Sequence, residues 1–342
     1  MRGKDGRIDM KVLLRHFFPC PPVARWRRFE NMLKACLAQL GHQVTELEFE
    51  PTLPPGPPGF DFRIYPHKSR HEVPEGDLFY KEMHLQNLFT IDHLGWGPDH
   101  SGMQAPPDLS KVDPAAARRF CAQLSAEFLA TGTSKHRQPP LHAIDSTLGP
   151  YLLAPLQLPT DDAVTIHSPL SVVDYVNVLS DWADRARMRV VFKLHPGAET
   201  PEIAETVRRR VAAGQYVAMV DENIHSLIAG AAGVVVLTSG VGFESLIHGK
   251  PVVTLGRCDY RWATFRSTPD CLDAACVYVR EYSSAQRQAA DNFIYYYCHH
   301  HAYLTTEAAM RDSMARLLEY LMKTLGVDRG VFSRARRACS PP

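Results

Sequence analysis

The stretch VVVLTSGVGFESLIHGKPVVTLGRCDY, from Val234 to Tyr260, decides the fold. Its β-branched opening, Val234-Val235-Val236-Leu237, reads as a buried parallel strand, because a strand covered on both faces carries a continuous apolar run. Thr238-Ser239-Gly240 turns the chain, and Val241 to His248 has apolar residues at helical spacing. Gly249 stops that helix, and Lys250-Pro251 leads into a second buried strand, Val252 to Leu255. Strand, turn, helix and strand make a βαβ unit, whose ligand sits at the carboxyl end of the first strand. Backbone N–H groups at the helix start favour an anion there, with the Thr238 and Ser239 hydroxyls beside them. Glu244, one turn into the helix, is acidic where an anion is not bound, and it suits a sugar or ribose hydroxyl. The same residues also fit a plain βαβ unit with a capped helix and a surface glutamate.

Upstream, the pattern repeats. Tyr151 to Pro155 is a short apolar strand that runs out into Gln157-Leu158-Pro159-Thr160-Asp161-Asp162. Two carboxylates just past a strand end lie where catalytic groups sit in α/β sheets, although Pro159 and Asp162 also fit a solvated turn. A helix is expected from Leu170 to Ala186. The strand from Arg189 to Leu194 then delivers His195-Pro196-Gly197 at its carboxyl end. Lys193 and His195 are two residues apart and share a side of that strand, so both can donate to a phosphate. A helix from Pro201 to Ala213, a strand from Tyr216 to Val220 and a helix from Asp221 to Ala232 complete an alternating β-α order. That order predicts a Rossmann-like nucleotide domain. It carries neither the GxGxxG of NAD and FAD sites nor the GxxxxGK[ST] of a P-loop.

The first half opens in the same α/β style. Lys11 to Phe18 reads as a strand, Val23 to Leu40 as an amphipathic helix ended by Gly41, and Gln43 to Phe49 as a second strand. Pro51 to Gly59 is dense in turn-formers and reads as an exposed loop. From Phe60 to Gly102 the periodicity is weak, and irregular structure rich in His and aromatic residues is expected. Asp113-Pro114 starts a long helix that ends near Ala130. Gly132 to Pro140 has the composition of an interdomain linker, giving a first domain of residues 1–140 and a second of 141–342. Near the end, Thr306 to Leu325 is an amphipathic helix placed to pack across both domains. His299-His300-His301 falls in a helical stretch, where consecutive residues point in different directions and do not converge on a metal. Arg329 to Arg337 is a basic tail, either solvated or placed for peripheral contact with anionic lipid at the inner membrane.

Composition bounds the function. The chain has 342 residues, enough for two domains, and 45% hydrophobic with 22% charged residues is globular. Thirty-eight basic against thirty-seven acidic residues leave no global field to attract nucleic acid. The eight cysteines form no CxxC pair, which predicts reduced thiols. No apolar run approaches the roughly 20 residues that span a bilayer. The opening MRGKDGRIDM lacks the apolar core of a signal peptide. A cytoplasmic protein is expected.

Two α/β halves with the nucleotide contacts in the second describe the GT-B glycosyltransferase architecture. PLQLPTDDAVTIHSP, KLHPG and TSGVGFESLIHGKPVVTLGRCDY resemble, in this order, motifs of the retaining β-Kdo transferases of bacterial capsule and lipopolysaccharide assembly. The resemblance covers about Tyr151 to Tyr260. It implies transfer of Kdo, an acidic sugar, from CMP-β-Kdo to a glycan or lipid-linked glycan acceptor. Asp161, four residues after Gln157, would attack the anomeric carbon, with Asp162 and His167 of the same motif as further catalytic candidates. His195, within Lys193 to Pro196, would contact the phosphate. Ser239 and the Gly240 backbone, beside Thr238, would bind it at the helix start, and Glu244 would hold the ribose. Retention by double displacement needs a carboxylate nucleophile, and donors must take up charge on the leaving phosphate. No metal and no other cofactor is expected. The rivals are a sugar-nucleotide 2-epimerase using a UDP-sugar, and a relative that binds glycans without catalysis.

Overall fold

The computed structural model describes residues 9–16, 24–48, 58–73, 77–144, 146–197 and 200–325. The chain divides into two compact units, Met1–Gln104 with Cys298–Pro342, and Ala105–Tyr297. This division differs from the expected boundary at residue 140. The helix after Asp113 and the whole Gly132–Pro140 segment belong to the second unit, and the last part of the chain belongs to the first.

The first unit opens with β1 (Lys11–His16), α1 (Ala24–Gln39), β2 (Gln43–Glu48), β3 (Phe62–Pro66), β4 (Leu78–Glu82) and β5 (Leu88–Asp92). The second follows with α2 (Pro114–Thr131), β6 (Tyr151–Pro155), α3 (Asp162–Thr165), α4 (Val172–Ala186), β7 (Arg189–Lys193), α5 (Pro201–Ala213) and β8 (Val217–Met219). It continues through α6 (Ile224–Gly230), β9 (Gly233–Val236), α7 (Gly240–Ile247), β10 (Val252–Thr254), β11 (Phe265–Arg266), α8 (Leu272–Arg280) and α9 (Ser284–Tyr296). The chain then returns to the first unit with β12 (Tyr303–Leu304) and α10 (Met310–Thr324).

In the first unit the strand order is β12-β5-β4-β3-β1-β2, parallel from β2 to β4 and antiparallel at β5 and β12. Trp26, Phe29, Leu33 and Leu37 recur on one face of α1 at helical spacing. They share a core with Leu14, Ile64, Phe89 and, from α10, Leu317 and Leu321. The apolar face of α10 is thus accounted for within the first unit. The region expected to be irregular holds β3, β4 and β5. Each is only five residues long, and charged Glu82 and Asp92 are buried in them, which breaks the apolar pattern that marks a strand. His299 to His301 lie in a π turn after α9, where His301 is buried with its ring 4.1 Å from that of His100. Most of the Pro51–Gly59 loop and the Arg329–Arg337 tail lie outside the described residues. Among the described residues, no helix is long and apolar enough to cross a membrane.

The second unit matches its expected elements closely. Its sheet runs β11-β10-β9-β6-β7-β8 and every pairing is parallel. Taken in chain order this is the doubly wound arrangement, in which successive strands are added on one side of β6 and then on the other. The direction reverses between β6 and β9, so their carboxyl ends flank the topological switch point. Trp182 and Val176 of α4, with Phe192, Val235 and Val253 of the sheet, lie in the core that fixes those ends.

Candidate functional site

The switch point is closed by a reciprocal hydrogen-bond pair. Gln157, just past β6, donates from Nε2 to Thr238 Oγ1 at 3.1 Å, and Thr238 N–H donates to Gln157 Oε1 at 3.1 Å. The Thr238 hydroxyl, which has one proton, then donates to Ala163 O at 3.1 Å. Both residues are buried, so each polar atom needs its partner. Both side chains are thus occupied in tying the end of β6 to the turn after β9.

That tie places Asp161. It is the N-cap of α3, and its Oδ1 accepts the Ala163 N–H at 3.0 Å. Asp161 is half-buried, whereas Asp162, the first residue of the helix, is exposed. The structure therefore separates two carboxylates that are equivalent in the turn composition. His167, shortly after α3, is buried, and its carbonyl accepts the Arg257 N–H at 2.8 Å, holding the loop after β10.

His195 follows β7 on the neighbouring strand. Its Nδ1 accepts the Gly197 N–H at 3.0 Å, which leaves the ring proton on Nε2. Burial lowers its pKa, and the nearby Asp161 carboxylate opposes that shift. The imidazole is therefore a neutral donor within the field of Asp161. Pro196 is exposed in the turn and bends the chain away. Lys193 behaves differently from the expectation that paired it with His195. It is 2% exposed, and its ammonium lies 3.0 Å from Asp221 Oδ1, past β8. Its charge is balanced towards that neighbouring strand.

On the other side of the switch point, Ser239 caps α7 by accepting the Val241 N–H at 3.3 Å, and Gly240 heads the helix. The Tyr260 hydroxyl donates to Ser239 O from behind. This ring packs so closely that a Cβ on Gly242 would meet Tyr260 Oη at 2.5 Å, so the position needs glycine. Glu244 is 2% exposed, not a surface residue. Its Oε1 accepts from Ser134 Oγ at 2.7 Å. Burial raises its pKa to about 7, against the lowering pull of the Ser134 bond and the Lys135 charge.

Sequence reasoning missed the site role of the Gly132–Pro140 segment, which its turn-forming composition marks as a linker. Gly132 caps α2 with φ of 66°, and a Cβ there would meet Asn223 Nδ2 at 2.8 Å. Asn223 Nδ2 donates to Gly132 O at 3.0 Å and Pro139 O at 2.9 Å, gripping both ends. Ile224 N–H donates to Gln138 Oε1 at 3.2 Å. Between them, His225 Nε2 donates to Thr133 O at 2.8 Å. That donation makes His225 Nδ1 an acceptor for His248 Nε2 at 3.0 Å, and His248 Nδ1 in turn accepts from Ser125 Oγ at 2.9 Å. Both histidines are neutral, because burial pushes their pKa values down to about 4 and about 3. So held, the segment sets Ser134 on Glu244 and the His136 ring edge-on to His195, centroids 4.8 Å apart. The one available signal was the pair of histidines, His225 in α6 and His248 just after α7.

Residues 131–266 match the family model for capsule polysaccharide biosynthesis proteins. The match begins at the end of α2 and ends with β11, so it contains the anchored segment and the whole switch point. No curated protein sequence matches the chain. Among solved structures, a KpsC β-Kdo 2,7 transferase of Thermosulfurimonas dismutans is similar at 15% identity and a TM-score of 0.51, over 91% of this chain and 99% of that one. A KpsC β-Kdo 2,4 transferase of the same organism is 14% identical with a TM-score of 0.48, over 91% and 99%. A structure titled as a UDP-N-acetylglucosamine 2-epimerase from Listeria monocytogenes is 12% identical with a TM-score of 0.36, over 94% and 98%. The fold, two α/β units each built on a largely parallel sheet, is of the GT-B type.

Proposed function

We propose that this chain is a glycosyltransferase of bacterial surface-polysaccharide assembly that transfers β-Kdo from CMP-Kdo to a glycan or lipid-linked glycan acceptor with retention. The observation that carries the reading is the half-buried Asp161 beside the neutral His195, at the switch point that α7 enters. Such a crevice is where doubly wound sheets bind nucleotides. The match to the capsule polysaccharide family and the fold shared with the KpsC transferase support the same class.

In this mechanism an Asp161 carboxylate oxygen bonds to the anomeric carbon as the bond from that carbon to the phosphate oxygen breaks, releasing CMP. The acceptor hydroxyl then attacks the same carbon, displaces the carboxylate and gives its proton to water. Two inversions leave the configuration unchanged. His195 Nε2–H and the Gly240 N–H at the head of α7 take up charge on the leaving phosphate. Glu244 accepts a ribose hydroxyl, and Ser134 orients its carboxyl group. CMP is a good leaving group, so the reaction runs without a metal. The transfer takes place in the cytoplasm.

Thermal shift in the presence of EDTA tests the donor. CMP should raise the melting temperature and UDP should not, because a ligand stabilises only through the native state that binds it. Stabilisation by UDP alone would favour the epimerase reading.

A further inference from the structure

We propose that His136 joins His195 in holding the nucleotide phosphate, which makes the Gly132–Pro139 segment a donor-binding loop. The inference rests on the reading of the switch point as a nucleotide-sugar site and adds a residue to it. Three observations carry it. First, the two imidazoles are neighbours, edge-on with centroids 4.8 Å apart, so a phosphate oxygen reached by one lies within reach of the other. Second, the His195 ring is locked by the Gly197 N–H on Nδ1 and presents only its Nε2–H. With the Gly240 N–H that makes two neutral donors for a group that gains negative charge, and a second imidazole adds a third.

Third, the segment is built to a shape. An exposed connection ordinarily carries few side-chain anchors. Here Asn223 grips both ends, His225 holds Thr133 O, Ile224 N–H holds Gln138, and Ser134 meets the buried Glu244. The His225–His248–Ser125 chain behind it uses a donor or acceptor at every ring nitrogen. Such anchoring fixes His136 beside His195 before any ligand arrives, and preorganisation of this kind lowers the cost of binding. The Lys135 charge, felt at Glu244, adds a positive field to the same stretch.

Titration calorimetry with CMP and with cytidine tests the inference. His136→Ala should weaken CMP binding by roughly tenfold or more, since a hydrogen bond to a charged group is lost. It should leave cytidine binding unchanged, because cytidine has no phosphate. His136→Gln, which keeps a donor at a similar reach, should recover most of the CMP affinity. Equal weakening of CMP and cytidine, or undiminished CMP binding in His136→Ala, would overturn the assignment. Failure of the unmutated protein to bind CMP would instead overturn the nucleotide reading beneath it, so the two failures are told apart.

Discussion

Ser134 Oγ lies 2.7 Å from Glu244 Oε1, although 110 residues separate them in the chain. The contact joins a stretch with the composition of a linker to the acidic residue that heads the nucleotide reading. It also explains how a carboxyl group 2% exposed is kept at the site: one oxygen has a hydroxyl partner, and Lys135 supplies charge.

Burial of Glu244 has a measurable sign. Its pKa is about 7 in the folded protein against 4.5 for a free side chain. Between those values the native state holds more protons than the unfolded chain, so stability falls as pH rises from 4.5 to 7 and stays lower above. Glu244→Gln removes that cost and keeps an acceptor for Ser134. Its melting temperature should exceed that of the unmutated protein by on the order of 5 °C at pH 8. The gap should shrink towards zero at pH 5. A gap independent of pH would contradict the buried, protonated glutamic acid.

The histidine chain has the opposite slope. His225 and His248 titrate at about 4 and about 3 when folded, against 6.5 when free. Their contribution is complete above pH 6.5 and is lost as pH falls towards 4, because the unfolded chain takes up protons that the native state refuses. His248→Gln keeps a donor for His225 and an acceptor for Ser125. It should cost about 1 kcal/mol at pH 7 and show a shallower loss of melting temperature between pH 6.5 and 5. Parallel losses in the two proteins would show that His248 is not held neutral.

The second unit was legible because its strands are apolar runs bounded by turn residues, and its helices have full periodic faces. Val234 to Leu237 and Val252 to Leu255 illustrate this, as does the amphipathic α4 with its buried Tyr175, Leu179 and Trp182. The middle of the first unit was not legible. Glu82 and Asp92 sit buried in five-residue strands, where they meet partners outside those strands, Arg25 and Ser101, that the strand pattern does not show. The site was half legible. Asp161, His195 and Ser239 stand at strand ends, where position alone marks them. Whether a strand-end side chain faces a ligand or a neighbour is a tertiary fact: Gln157 turns to Thr238 and Lys193 to Asp221. Composition marked Gly132–Pro140 as a linker for a related reason, since Asn223 and His225 impose order on it from about 90 residues away.

The Gln157–Thr238 pair predicts a structural penalty. Gln157→Leu leaves the buried Thr238 N–H without its acceptor and should cost roughly 2–3 kcal/mol in urea unfolding. CMP affinity should fall with it, through displacement of the turn that heads α7. A Gln157→Leu protein with unchanged stability would mean that the pair does not hold the switch point.

The nucleophile is the centre of the account, and Asp161→Asn tests it most directly. Asparagine caps a helix as well as aspartate does, so α3 keeps its start, whereas alanine would cost about 1 kcal/mol. CMP-Kdo generated in situ is supplied with a lipid-linked glycan acceptor, and the product is followed by mass spectrometry. The unmutated protein should form a Kdo-extended glycan of retained configuration, with a transient adduct on the peptide that contains Asp161. Asp161→Asn should form none while still binding CMP, and Asp162→Asn should remain active. Full transfer by Asp161→Asn, or an adduct on Asp162, would contradict it.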